Sequence, residues 1–238
     1  MNFLLFSEEE LSADGRTLYL SAGDRRAEHL TSVLKPKPQD SLKVGQINGN
    51  MGSARIIDIT HEGYQLQVDL VSPPPPGLDL TLILALPRPK MMRRVIENIA
   101  ALGVKHLILL NAYKVEKSYW QTPWLTEDTL RHHCLLGLEQ AGDTILPRIE
   151  LKKLFKPFVE DELPGIIGNR SAWVAHPGSE RGIPDTPASM VLTIGPEGGF
   201  TPYEIGKLEE AGCQSFNLGT RILRVETVVP ALLGRLYL

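Results

Sequence analysis

The chemistry of this chain is concentrated in two short segments toward its end. One is Val191-Leu192-Thr193-Ile194-Gly195-Pro196-Glu197-Gly198-Gly199-Phe200-Thr201-Pro202; the other is Leu218-Gly219-Thr220-Arg221-Ile222-Leu223-Arg224-Val225-Glu226-Thr227. Each leads an apolar, strand-like run into a loop of small residues and then into a helical pattern, and the two turns lie about two dozen residues apart. Side by side at the strand ends of a parallel sheet, such turns form the crevice in which open α/β proteins bind small molecules. Backbone groups and apolar side chains dominate both segments, which suits a compact organic cofactor. The ionisable candidates for chemistry are Arg224, Glu226 and Glu197. A guanidinium stabilises negative charge growing on a substrate oxygen, and a carboxylate accepts a proton or balances a cation. The competing reading of Arg224 and Glu226 is a salt bridge that fixes the loop.

The local signals place the first loop between a strand and a helix. Thr201 is a suitable N-cap, Pro202 occupies the first helical position, and Glu204 completes a capping box, so a helix is predicted from Pro202 through Ile205 and Leu208 to a stop at Gly212. The glycines serve either a tight turn or a close approach of the backbone to a ligand. A dinucleotide fingerprint is excluded because the G-x-G-x-x-G spacing is missing, and no Gly-Lys-Ser/Thr phosphate loop occurs in the chain. Glu197 would repel a pyrophosphate but tolerate a cationic ligand.

The four prolines Pro73-Pro74-Pro75-Pro76 followed by Gly77 form a stiff extended spacer between two expected domains, 1–72 and 77–238. Before it, β-type runs at Leu18 to Leu20, Ser41 to Ile47, Ala54 to Ile59 and Tyr64 to Leu70 alternate with turns such as Asn48-Gly49 and Glu62-Gly63, which predicts a small β-barrel. After it, strands at Leu80 to Leu86 and His106 to Leu110 enclose a helical stripe of Val95, Ile96, Ile99 and Leu102. A helix over Glu127 to Ala141 follows, with further strands near Ile149, Ala172, Val191 and Phe216. Such alternation predicts an α/β domain with a parallel sheet and helices on its faces. The apolar run Val228, Val229, Ala231, Leu232, Leu233, Leu236 and Leu238 exceeds what one helical face needs, so part of it is expected in a subunit interface.

Composition sets the outer bounds. The chain has 238 residues, a net charge of −3 and 42% hydrophobic residues, an ordinary balance for a globular protein. No run reaches membrane-spanning length, no basic stretch precedes an apolar one at the start, and a cytoplasmic location is expected. Cys134 and Cys213 have no metal-like spacing and read as reduced core or surface thiols. The overall charge does not favour a nucleic-acid partner, but local clusters do: Arg25, Arg26, His29, Lys35 and Lys37; Arg88, Lys90, Arg93 and Arg94; and Lys114 with Lys117. Each cluster alone also reads as a solvated face. Tyr119, Trp120 and Trp124 are base-stacking candidates or packing anchors. His132-His133 lacks a partner at ligand spacing and is expected at the surface; Lys152, Lys153 and Lys156 are expected to be solvated, and no metal site is expected.

The Gly-Pro-Glu-Gly-Gly loop at 195–199 and the Leu-Gly-x-Arg-x-Leu-Arg-x-Glu-Thr segment at 218–227 resemble the C-terminal signature of the SPOUT methyltransferases, specifically the RsmE family that makes N3-methyluridine in 16S ribosomal RNA. His29-Leu30 with Val33-Leu34, and Glu139-Gln140, extend the resemblance more loosely along the chain. The chain departs from the family at Pro87 to Arg94, at Lys114 to Trp120 and at Val228-Val229-Pro230. What the resemblance implies is a trefoil-knotted SPOUT domain behind a PUA-like barrel, a homodimer, and S-adenosylmethionine as the cofactor. That cofactor is expected to be held by Leu192, Ile194, Gly195, Gly198, Gly199, Leu218, Gly219, Ile222, Leu223 and Thr227. Arg224 is expected to stabilise the ionising uracil, with Glu226 or Glu197 as proton acceptor. The partner implied is 16S ribosomal RNA or the small ribosomal subunit, contacted through Arg25, Arg26, Lys35, Lys37, Arg88, Lys90, Arg93 and Arg94. The alternatives are a non-catalytic RNA-binding or ribosome-assembly factor, and a transfer-RNA methyltransferase of the same fold.

Overall fold

The structure is a computed structural model that describes residues 3–185 and 189–237. Its contacts divide the chain into two units: Met1–Pro76 with Leu135–Leu146, and Gly77–Cys134 with Pro147–Leu238. The segment Leu135–Leu146, expected within 77–238, therefore groups with the first unit. Asn48 N donates to Thr144 O over 2.8 Å and Leu146 N donates to Asn48 Oδ1 over 3.0 Å, which anchors that segment at the Asn48-Gly49 turn.

The first unit is a curled mixed sheet of β1 (Phe3–Phe6), β2 (Thr17–Ser21), β3 (Ser41–Gln46), β4 (Met51–Thr60) and β5 (Gly63–Ser72), in the order β1-β3-β4-β5-β2. The β1–β3 pair is parallel and the other pairs are antiparallel. Alternate residues point inward, and Phe6, Leu18, Leu20, Val44, Ala54, Ile56 and Leu66 close a core beneath the short helix α1 (Arg25–His29). Strand β1 escapes the pattern used to find the others. All four of its residues are buried, so it has no polar alternation, and the side of it that carries Phe3 packs near Gly45 and Thr144.

The second unit is a wholly parallel sheet of β6 (Leu78–Ala85), β7 (Val104–Leu110), β8 (Arg148–Lys152), β9 (Ser171–Ala175), β10 (Met190–Ile194) and β11 (Gln214–Phe216), in the order β11-β9-β10-β6-β7-β8. The central strands read as continuous apolar runs because helices cover both faces. Those helices are α2 (Pro89–Ala101), the first part of α3 (Glu127–Ala141), the short α4 (Phe155–Pro157) and α5 (Leu163–Ile167), α6 (Pro202–Glu210) and α7 (Val225–Tyr237).

Helix α7 corrects the interface expectation. Val225, Val228, Val229, Leu232, Leu233 and Leu236 recur at helical spacing and are all buried within the chain, where α7 packs on α2. Ala231 is exposed, and Leu238 lies outside the described residues. The apolar run thus fills one intramolecular face. Cys134 and Cys213 are core thiols, pushed up to about 12 by burial. His133 is likewise buried rather than at the surface, with Nδ1 2.9 Å from Glu97 Oε1. Lys152, expected to be solvated, pairs with Glu162 at 2.6 Å and with Glu150 at 3.3 Å.

Candidate active-site cleft

Strand β10 builds the first wall. Its five residues are buried between β9 and β6, and the chain leaves the sheet at Gly195. Gly199 N closes the turn on Pro196 O over 2.8 Å, and Gly199 adopts a φ of 70°, a left-handed conformation that a side chain disfavours. The expected capping box then starts α6: Thr201 Oγ1 accepts from Glu204 N, and Glu204 Oε2 accepts from Thr201 N over 2.8 Å. Glu204 is buried, and its other oxygen accepts from Tyr113 N over 2.7 Å, which ties the segment after β7 to the start of α6. Two more bonds reach the loop itself. Lys114 Nζ donates to Gly198 O over 2.7 Å, and Arg88 N donates to Glu197 Oε1 over 3.1 Å.

Strand β11 leads into the second wall. Asn217 N donates to Arg181 O over 2.8 Å, and Gly219 N donates to Asn217 Oδ1 over 2.8 Å. Beyond it the chain is exposed. Ile222 is 82% exposed and Leu223 37%, until Arg224 O accepts from Thr227 N and Val228 N to begin α7. The two loops do not leave neighbouring strands, since β9 separates β10 from β11. They nonetheless line one cleft of about 180 Å³, and the end of β9 supplies a third wall of Ala175, His176 and Pro177.

Of the residues expected to bind a cofactor, Ile194, Gly195, Gly198, Gly199, Leu218, Gly219, Ile222 and Leu223 line this cleft. Leu192 does not. It is fully buried two residues before the strand end, roughly 7 Å back along β10 at the usual rise of a strand. Thr227 sits exposed on the first turn of α7, outside the lining. Glu197 lines the cleft, whereas Arg224 and Glu226 lie just beyond Leu223. Arg224 is 85% exposed in its side chain and 4.0 Å from Glu226 Oε1, a separation too long to fix a loop. Pro196, Arg221, Val225 and Val228 also line the cleft, as do Ala175, His176 and Pro177 at the end of β9, and none of these stands out in the sequence as a ligand-binding residue. The sequence signal for that third wall is faint: a short apolar strand followed by His176-Pro177-Gly178, with no motif.

The basic clusters separate into two kinds. Lys35, Lys37, Arg88, Lys90, Arg93 and Arg94 are exposed. Arg26 corrects the surface expectation: its side chain is 12% exposed, it pairs with Glu10 and with Asp24 at 2.5 Å, and it donates to Leu5 O over 2.8 Å. Burial alone would lower its pKa, but Asp24 and Glu10 hold it above the usual range. Asp24 is lowered chiefly by its hydrogen bond from Arg26; Glu10 is lowered too, because bonds from Arg26 and Ser7 outweigh its burial. Arg25 pairs with Glu139 Oε1 at 2.7 Å, and the other oxygen of that buried carboxylate has no hydrogen-bond partner. Among the stacking candidates, Trp120 is half-buried and donates Nε1–H to Asn111 Oδ1 over 2.8 Å, as a packing anchor does. Among the described residues no cluster of His, Cys, Asp and Glu suits a metal ion, and no helix is long and apolar enough to cross a membrane.

The RNA methyltransferase domain family matches residues 74–237. Over 97% of its length the chain is 29% identical to ribosomal RNA small subunit methyltransferase E of Treponema pallidum, covering 88% of that protein. It is 25% identical to ribosomal RNA small subunit methyltransferase E 1 of Borreliella burgdorferi, over 97% of this chain and 95% of that one. Its fold matches the crystal structure of ribosomal RNA small subunit methyltransferase E from Neisseria gonorrhoeae bound to S-adenosyl methionine, with a TM-score of 0.75, 20% identity, and coverage of 98% of this chain and 95% of that chain.

Proposed function

The chain belongs to the RNA methyltransferase domain family, and from that premise we propose that it methylates N3 of a uridine in 16S ribosomal RNA, using S-adenosylmethionine at the cleft between the β10 and β11 loops. The observation that carries this reading is the convergence of both glycine loops on one cleft. Its surface is the type such a cofactor needs: apolar walls from Ile194, Leu218, Leu223, Val225 and Val228, glycine backbone that admits close approach, and the Glu197 carboxylate as the acidic group on its lining. No lysine or serine sits within 195–199 to hold a phosphate chain. When bound, S-adenosylmethionine supplies a methyl group activated by its sulfonium charge.

The chain's own residues meet the remaining demands. Leu218, Ile222 and Leu223 line the cleft and would cover the bound ligand and keep water from the reacting atoms. Arg224, exposed and unrestrained beside the cleft, stabilises negative charge on the uracil carbonyl oxygens as N3 ionises. Glu197 or Glu226 takes the N3 proton. Glu197 lines the cleft and is aimed by the Arg88 backbone; Glu226 is half-buried beside Arg224.

The finer architecture belongs to the same reading. We propose a trefoil knot in the second unit, supported by the loop after β9: Asn217 Nδ2 donates to Ser179 O and His176 N to Phe216 O, so residues 176–181 lie against the chain as it leaves β11. The first unit is proposed as a PUA-like RNA-binding domain on the strength of its curled sheet. A homodimer is supported by Ile222, an apolar side chain at the cleft rim that its own chain leaves uncovered. Action on ribosomal RNA would put the protein in the cytoplasm. The test is transfer of labelled methyl from S-adenosylmethionine to 16S RNA or small subunits, followed by nucleoside analysis. N3-methyluridine in that RNA is expected; label only in transfer RNA, or cofactor binding without transfer, would replace the reading with one of its alternatives.

A further inference from the structure

Tyr113 is 83% exposed, a large aromatic ring left in water immediately after β7. Tyr203, on the first turn of α6, is 56% exposed. The residue after Tyr203 links the two positions: Tyr113 N donates to the Glu204 side chain at Oε1 over 2.7 Å, while the same carboxylate caps α6 through Thr201. Glu204 is buried, so this junction is a fixed part of the scaffold. Next to Tyr113, Lys114 reaches the cofactor loop at Gly198 O. Tyr113 and Tyr203 therefore flank one rigid junction, and Lys114, next to Tyr113, ties that junction to the Gly198 loop.

We propose that Tyr113 and Tyr203 form a stacking platform for unpaired nucleobases flanking the target uridine. The inference rests on the RNA reading of the cleft and names how that RNA is held there. Enzymes that act on a base need it out of its stack, and the neighbouring bases then need new partners. An exposed ring presents a π-face to any base, so such a contact holds flanking bases whatever their sequence. Neither ring has a packing task that explains its exposure, in contrast to Trp120, which is anchored to Asn111. Rigidity matters because a ring on a preorganised junction loses little freedom when a base settles on it.

The test uses the full chain with unmodified 16S ribosomal RNA transcript, and with small subunits assembled on it. Tyr113→Ala and Tyr203→Ala should each raise KM for RNA by roughly 10-fold, within the range found when a stacking side chain is removed. The rate at saturating RNA and calorimetric affinity for S-adenosylmethionine should be unchanged, and Tyr113→Phe, which keeps the ring, should restore KM. Equilibrium binding of labelled RNA follows the same order of variants without requiring turnover. If the wild-type protein binds this RNA but transfers no methyl, the functional reading fails and the platform stands or falls on binding alone. RNA affinity of both alanine variants within twofold of wild type, a phenylalanine variant as weak as alanine, or a parallel loss of cofactor affinity would each overturn the platform.

Discussion

Arginines of both units are candidates to meet RNA, and the two sets are held in opposite ways. Arg26 of the first unit lies beneath two carboxylates and a backbone carbonyl, with 12% of its side chain exposed; Arg224 of the second is 85% exposed with its nearest carboxylate 4.0 Å away. Both stand near acidic residues in sequence. Asp24 precedes Arg26 by two positions and Glu226 follows Arg224 by two, so sequence spacing does not distinguish them. Backbone conformation does. Asp24 is the N-cap of α1 and accepts from Arg26 N, which turns its carboxylate toward the arginine, whereas Arg224 ends an exposed loop whose backbone carbonyl is occupied in starting α7. A satisfied arginine holds a fold; an unsatisfied one beside a cleft is available to a substrate.

The largest effect that this difference predicts is kinetic. Arg224→Ala should lower methyl transfer at saturating RNA by about 100-fold, the scale of losing one group that stabilises transition-state charge. Urea denaturation of the variant should match wild type within about 0.5 kcal/mol, as for an exposed surface substitution. A large stability loss with an intact rate would mean that Arg224 resembles Arg26 after all.

A second substitution tests whether the hydrogen-bonded wall of the cleft depends on its backbone conformation. Gly199→Val forces a β-branched side chain into a φ of 70°, a cost of order 1–3 kcal/mol that should appear as roughly 10- to 100-fold weaker calorimetric binding of S-adenosylmethionine. Gly198→Val is the instructive contrast. An added Cβ there meets Lys114 Cδ at 2.8 Å, and the lysine can swing aside by giving up its bond to Gly198 O, so this variant should weaken binding less. Equal effects would show that ligand approach, not backbone conformation, sets the need for glycine in this loop.

In the first unit the corresponding change should be thermodynamic. Arg26→Ala should cost about 1–2 kcal/mol in urea denaturation, less than a fully buried pair because Glu10 and Asp24 are partly exposed. The pH dependence gives the sign. Both carboxyls are lowered in the folded state from ordinary values of 4.5 and 3.8, so their contribution is complete above those values and disappears as pH falls through the lower, folded ones. Below pH of about 4, wild-type stability should therefore fall more steeply than that of Arg26→Ala. Parallel curves would remove Arg26 as the cause.

These contrasts also mark what the sequence discloses. The α3 bounds, the capping box at Thr201–Glu204 and the parallel strands from Leu78 onward follow from periodicity and local chemistry, which act over a few residues. Loop residues Ile194 to Gly199 and Leu218 to Leu223 are legible for the same reason. Three things are not. Strand β1 is buried on both faces, so it lacks alternation; the Ala175–Pro177 wall depends on β9 inserting between β10 and β11; and the partners of Arg25 and Arg26 include Glu139 and Glu10, distant in sequence. Each depends on tertiary placement, which no local pattern encodes.

The smallest predicted effect decides where the first unit meets RNA. With Arg26 satisfied and Arg25 paired to Glu139, the exposed Lys35 and Lys37 inherit the proposed phosphate-positioning role in that unit. A lysine that neutralises a phosphate releases about 0.7 counterion on single-stranded RNA and about 0.9 on a duplex, so replacing both with alanine should reduce the slope of log affinity against log salt by up to about 1.4–1.8. At one moderate salt concentration the affinity change is correspondingly modest, and cofactor binding should not move. Arg25→Ala should change the slope less than this pair does, because its charge is already partly neutralised by Glu139; its effect should instead be on stability, since it strands a buried carboxylate. An unchanged slope in the double lysine variant would move phosphate positioning to Arg88, Lys90, Arg93 and Arg94, leaving the first unit without an electrostatic part in RNA binding.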